Sequence, residues 1–132
     1  MTAYISVSYN KRASLNDELK AIADTLRAFE ITPIVFVDKY KFHPSQEKEM
    51  MQQAMTDIMA CNILIAEVSD KAIGIGIEAG YAKAHNKPVI YLRKKEAEYS
   101  TTIGGISDFQ IVYSNSAELK ELIMNTIKLI LK

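Results

Sequence analysis

Glu78 stands in the run AIGIGIEAGYAKAHNKPVIYL, residues 72–92, a carboxylate set among alternating isoleucines and glycines where an apolar strand passes into a helix. In the first turn of a helix a carboxylate interacts favourably with exposed N–H groups and the dipole, by ~0.3–1 kcal/mol, and that alone can account for a glutamate. The flanking Ile73, Ile75, Ile77 and Ala79, with Gly74, Gly76 and Gly80, also describe a tight, partly dry turn. Glycines there let a backbone or a ligand come close. A carboxylate so placed can act as a nucleophile or, with its pKa raised by desolvation, as an acid.

Other ligand chemistries find little support. Gly74, Gly76 and Ala79 satisfy the G-x-G-x-x-A form of the dinucleotide fingerprint, but Ser69 to Ala72 separate it from the preceding strand, which is the third rather than the first. No G-x-x-x-x-G-K-[ST] occurs, so a P-loop is excluded. The stretch VSYNKRAS lacks the paired acids of a phospho-receiver and the glycine of a flavodoxin-like phosphate loop. His43 and His85 stand alone, and the single Cys61 rules out an internal disulfide and a multi-cysteine zinc site. Neither a metal nor an organic cofactor is expected.

The elements that must position Glu78 follow from periodicity. Apolar strand-like runs alternate with helical segments from end to end, the pattern of an α/β domain with a mainly parallel sheet. Strands are expected at about Ala3 to Tyr9, at TPIVFVD (32–38), NILIAEV (62–68), KPVIYLR (87–93) and FQIVY (109–113). Ser14 offers a cap to a first helix whose Leu15, Leu19, Ile22, Leu26 and Phe29 share one face. A second helix is expected over Pro44 to Ala60, with Met51, Met55 and Ile58 inward and Met50, Gln53, Asp57 and Cys61 as an outer stripe. The run around Glu78 supplies the third, and Leu119, Leu122, Ile123, Ile127 and Ile130 mark the last. The fold is therefore a three-layer sandwich, a doubly wound five-stranded parallel sheet of flavodoxin or Rossmann-like form, in one domain over 1–132. Ligands in such sheets sit outside the carboxyl ends of the strands, near the point where strand order reverses. About fifteen residues after Arg93, KKEAEYSTTIGGISD, form a connection long enough to suggest function.

Composition sets the partners. Acidic and basic residues balance at 16 each, so no global field attracts a nucleic acid polymer or an anionic membrane. No apolar run approaches the ~18 residues of a membrane span, and no basic-then-apolar leader opens the chain. One cysteine fits a reducing cytoplasm.

The run A-E-V-x-x-x-x-x-G-x-G-x-E-x-G-x-A, carried by residues 66–82, resembles the nucleoside 2-deoxyribosyltransferase-like superfamily and, within it, the small 2′-deoxynucleoside 5′-monophosphate N-hydrolases. The resemblance extends more weakly from AYISVSYNKR to YSTTIGGISDFQIVY. It implies cleavage of the bond between a nucleobase and its sugar, with Glu78 attacking the anomeric carbon and Gly74 and Gly76 close to the substrate. Water as acceptor makes a hydrolase and a second base makes a transferase. Tyr4 and Ser8 match first-strand positions that line the family's pocket, and Ser100 matches a loop serine that touches phosphate, in some members from the neighbouring subunit. With Asn10 and Thr101 these residues are expected to border a small nucleoside or nucleotide.

Asn10 stands where the monophosphate hydrolases have an arginine, Ala72 where they have a serine, and Ala54 where they have a second carboxylate. Asp38, at the carboxyl end of the second strand, is the first candidate to replace that carboxylate. Asp57 is the next, although helical spacing puts it about 140° from the Met51/Met55/Ile58 stripe and so toward solvent or a partner. A nucleotide sensor that keeps the pocket without turnover is the alternative from another class. Exposed methionines on the second helix, and family sites completed across subunits, lead to the expectation of a homodimer or larger assembly.

Overall fold

Three stretches are mostly apolar and buried along most of their length, and cover on both faces is the reason. In the computed structural model, which describes residues 1–132, β1 (Thr2–Val7), β3 (Ile63–Glu67) and β4 (Val89–Lys94) form the centre of one sheet. β2 (Thr32–Val35) and β5 (Phe109–Tyr113) are its edges, and β5 alternates as an edge should, with Ile111 and Tyr113 buried and Gln110 and Val112 exposed. The strand order is β2-β1-β3-β4-β5, all parallel, which is the doubly wound sheet expected. The order reverses at β1 and β3.

Helices cover both faces. α1 (Asn16–Ala28) and α6 (Ser116–Ile130) pack Leu19, Ile22, Leu26, Leu119, Ile123 and Ile127 against the side chains of Ile5, Ile63, Ile65 and Ile90. On the other face α3 (Glu47–Ala60) and α4 (Ile73–Ala84) bring Ala54, Ile58, Ile75, Ala79 and Ala82 to Tyr4, Leu64, Ala66 and Tyr91. No helix is long and apolar enough to cross a membrane.

Several boundaries differ from the periodicity. β1 ends at Val7, and residues Tyr9–Leu15 form a 3-10 turn in which Ser14 Oγ donates to the Lys11 carbonyl at 2.7 Å instead of capping α1. TPIVFVD is not one strand. Its partner register with β1 stops at Ile5 and Val35, and Phe36–Lys39 coil into a single helical turn, α2, which lays the Phe36 ring on Tyr4. The long connection holds its own helix, α5 (Thr101–Ile106), capped by the Ser100 side chain, which accepts from the Ile103 N–H at 3.3 Å.

α3 is rotated from its expected setting. Its buried residues are Ala54 and Ile58, with Cys61 fully buried just beyond and Met50 packed on the same core, whereas Met51 and Met55 are half-buried. Ile58 of the expected inward stripe is buried, but the buried line runs from it to Ala54 and Cys61, which brings Met50, Gln53 and Asp57 partly inward. Ala54, a small side chain in the middle of the helix, permits close approach to the sheet, and this outweighs the bulk of the methionines.

Two helices end with a residue in the left-handed region. Glu30 (φ 60°) follows α1, where the Ile31 N–H bonds the Leu26 carbonyl at 3.0 Å and the Glu30 N–H bonds that of Arg27 at 2.9 Å. Asn86 (φ 61°) does the same after α4. This Schellman closure favours glycine and tolerates asparagine, but charges a Cβ-bearing glutamate with strain. Glu30→Gly is expected to raise the unfolding free energy by about 1 kcal/mol in urea denaturation, and Asn86→Gly to change it much less.

Candidate active site

Glu78 is the sixth residue of α4, in its second turn rather than its first. The favourable end-of-helix field has faded there, so that simpler account of the glutamate no longer suffices. What meets it is the face of β1. Side chains alternate along a strand, so Tyr4 and Ser6 project together toward α4. Ser6 Oγ donates to Glu78 Oε1 at 2.6 Å, and the Tyr4 hydroxyl donates to Oε2. Both donors are buried, at 0% and 1% exposure. Ser6 was not among the residues singled out from the sequence, yet its spacing of two from Tyr4 was the available sign.

Electrostatics at this pair are opposed. Burial raises the Glu78 pKa, and the hydrogen bonds from Ser6 and Tyr4 pull it back. Burial, together with the charge and hydrogen bond of Glu78, pushes the Tyr4 hydroxyl well above the ordinary phenol range, and the charge of Asp57 adds to the effect. Tyr4 is therefore a fixed donor. Both carboxylate oxygens of Glu78 are held in place before any ligand arrives.

Asp57 lies on the inner side of α3 and not toward solvent. Gln53 Nε2 donates to its Oδ1 at 2.9 Å, while Oδ2 is buried without a partner. Leaving a buried carboxylate oxygen unpaired costs roughly 1–3 kcal/mol or more, so the position calls for an explanation. Asp38 is occupied elsewhere: Arg12 grips it at 2.7 and 2.8 Å, in an ion pair open to solvent. Of the two replacement candidates, only Asp57 acts on Tyr4.

Beside Tyr4 stands an aromatic wall. Phe36 lies 5.9 Å from the Tyr4 ring, Tyr40 5.0 Å from Phe36, and Phe42 6.2 Å from Phe36 in a stacked arrangement. Tyr40 and Phe42 fall in the segment after the second strand, where ligands of such sheets are expected, but FVDKYKF is split between a strand and a loop and gives no sign that its rings gather.

The remaining residues fall around the rim. Ser8 Oγ donates to Asp70 Oδ2 at 2.7 Å. Gly76 and Ser100 line one small cavity with Ala72, Ile73 and Ile103, and a Cβ at Gly76 would meet nothing within 4 Å, which leaves open space before the helix. Ser100 is fixed from behind, its N–H donating to the Tyr91 hydroxyl at 2.8 Å, while Tyr91 stacks on Tyr99 at 5.7 Å. Gly74, Asn10 and Thr101 are exposed. No three histidine, cysteine, aspartate or glutamate side chains converge as a metal cage.

Comparisons with known proteins bear on the fold and the family. No curated protein matches the chain in sequence. Among solved structures, a CMP N-glycosidase from Clostridium botulinum is similar at 20% identity and a TM-score of 0.69, over 95% of this chain and 99% of that one. A 2-deoxyribosyltransferase from Bacillus psychrosaccharolyticus is similar at 14% identity and 0.70, over 91% and 90%. A 3-dehydroquinate dehydratase-like protein from Bifidobacterium longum follows at 12% and 0.62, over 100% and 98%. At such identities these likenesses establish the fold. The sequence profile of nucleoside 2-deoxyribosyltransferases matches residues 4–127, nearly the whole chain, and the protein therefore belongs to that family of enzymes.

Proposed function

We propose that the chain is an N-glycosidase that cleaves the base–sugar bond of a small (deoxy)nucleoside or its 5′-monophosphate, with Glu78 as nucleophile. The observation that carries this reading is the half-buried Glu78 carboxylate, each of whose oxygens accepts from a buried donor, Tyr4 or Ser6. The names of two similar structures, a CMP N-glycosidase and a 2-deoxyribosyltransferase, support it.

The base lies against the Phe36, Tyr40 and Phe42 wall, and the sugar lies over α4 near Gly76. As the bond from C1′ to the base nitrogen lengthens, positive charge grows on the sugar, and the nearby carboxylate stabilises it and closes on C1′ to form an ester. Asp57 gives a proton to the departing base through its unpartnered oxygen. It then takes one from the water that hydrolyses the ester, and Glu78 is released as carboxylate. A second base in place of that water gives exchange, which is the alternative reading.

Incubation with ribo- and deoxyribonucleosides and their 5′-monophosphates, followed by chromatography, tests the proposal. Free base without an acceptor is the expected result. New nucleoside formed only when an acceptor base is added would assign a transferase, and no release from any substrate would overturn the reading.

A homo-oligomer belongs to the same proposal, on a different surface from that expected. Ile73 and Ile77 on α4 are 85% and 53% exposed. They lead along the helix to Tyr81, which shares a hollow with Met55 and Met59. We expect this apolar stripe to meet a second copy, so that light scattering gives a dimer or larger mass for the native chain and Ile77→Asp shifts it toward monomer.

A further inference from the structure

Beyond the nucleophile, the row of side chains on β1 continues outward. Tyr4 and Ser6 bond Glu78, and Ser8, still in extended backbone, is next on that side. At 3.2–3.4 Å per residue, Ser8 lies roughly 7 Å beyond Ser6, about the reach of a sugar ring with its exocyclic carbon. What Ser8 holds there is the Asp70 carboxylate, at 2.7 Å. No lysine or arginine pairs with Asp70, although Arg12, Lys71 and Lys94 all have carboxylate partners elsewhere.

The cavity at this point measures about 190 Å³ and sits where the strand order reverses. Three serine hydroxyls line it, from Ser8, Ser14 and Ser69. Its charged groups cancel: Lys11 and Lys94 stand against Glu67 and Asp70, and Glu18, 3.6 Å from the Lys94 ammonium, takes up part of that cation. A doubly charged phosphate finds no net positive field here and meets the Asp70 carboxylate directly. A neutral hydroxyl, in contrast, can donate to Asp70 and accept from the Lys94 ammonium, the three serine protons being given to Asp70, the Lys11 carbonyl and Glu67.

We propose that Asp70, oriented by Ser8, receives a free hydroxyl of the substrate's sugar, so that the enzyme acts on nucleosides in preference to their 5′-phosphates. This rests on the N-glycosidase reading and narrows its substrate class. Asp70 is here a specificity-determining residue that touches the sugar, and the discrimination is electrostatic: replacing the carboxylate by an amide removes the repulsion toward phosphate while keeping shape.

The experiment compares kcat/KM for 2′-deoxycytidine, cytidine and 2′-deoxyadenosine with that for each 5′-monophosphate, in the native chain, Asp70→Asn and Lys11→Met. The native chain is expected to favour each nucleoside over its monophosphate by at least tenfold. Asp70→Asn is expected to shrink that ratio by at least tenfold, losing on the nucleoside and gaining on the monophosphate. Lys11→Met should leave the ratio near its native value. Preference of the native chain for monophosphates, an unchanged ratio in Asp70→Asn, or a monophosphate-selective loss in Lys11→Met would each overturn the proposal. If no base is released from any compound, the N-glycosidase reading fails by itself. Calorimetric titration of the same pairs into the native chain then decides the proposal: tighter nucleoside binding that Asp70→Asn abolishes upholds it, and equal, reversed or absent binding refutes it.

Discussion

Glu78→Gln is expected to lower kcat for base release by at least about 10³-fold, each tenfold being ~1.4 kcal/mol of barrier, with ligand affinity changed far less. The substitution keeps the fit because the amide oxygen can still accept from Ser6 and the amide nitrogen can donate to the Tyr4 oxygen. What it removes is the anion that meets the developing charge at C1′. The same carboxylate makes a linked prediction for stability. Its pKa in the folded chain is raised by burial, so its stabilising contribution is complete below the unfolded pKa and is lost as pH rises through the folded value. Glu78→Gln cannot ionise and escapes that loss. Its melting temperature relative to the native chain should therefore climb with pH over that window. Glu67, also buried with a raised pKa, contributes in the same direction to both proteins and cancels in the comparison. Activity runs the opposite way, because the nucleophile is the ionised form: kcat/KM should fall on the acid side with a midpoint above that of an exposed glutamate. Turnover within tenfold of the native rate in the glutamine variant would remove Glu78 from the nucleophile's role.

The architecture was legible because burial on both sides leaves an unmistakable mark. NILIAEV could sit only in the middle of the sheet, and β3 is buried at every position. The faces of α1 and α6 were equally plain, since Leu19, Ile22, Leu26, Leu119, Ile123 and Ile127 repeat at helical spacing and all are buried. α3 misled for a physical reason. Periodicity weighs side chains by hydrophobicity, and its methionines outweigh Ala54, but a helix closing on a sheet puts a small residue at the point of nearest approach. That error of rotation turned Asp57 outward and left Asp38 as the first replacement carboxylate, although Arg12 holds it. Glu78 was legible from its own surroundings. Its partners Tyr4 and Ser6 lie 74 and 72 residues away in the chain, and only the alternation of β1 hinted at the second. Asp70 and the Phe36 to Phe42 wall depend on how loops fold over the strand ends, which no periodic pattern records.

Asp57→Asn is the second substitution expected to act strongly, lowering kcat by about 10²–10⁴-fold as loss of a general acid does. The helix gives Asp57 one ligand, Gln53, and leaves its other oxygen buried and bare. Charge and shape separate two meanings of that bare oxygen. If it only tolerates burial, the neutral isostere improves the fold and turnover is untouched. If it protonates the departing base, the amide, which has no proton to give at catalytic cost, slows every substrate whose base leaves as an anion. The deciding comparison is a nucleoside of 7-methylguanine, whose base is already cationic and departs without a proton. On that compound Asp57→Asn should retain most of the native kcat/KM, which reads departure of the base and not the later water step that also uses Asp57, while on the unmethylated nucleoside kcat/KM should lose the full factor. Equal losses on both would mean that Asp57 shapes the pocket without donating to the base, and equal retention would return the search to another carboxylate. Thermal melting of the variant reads the burial cost separately: a melting temperature at or above the native value, together with the substrate-dependent loss, is the pairing expected of a group kept for chemistry at some expense to the fold.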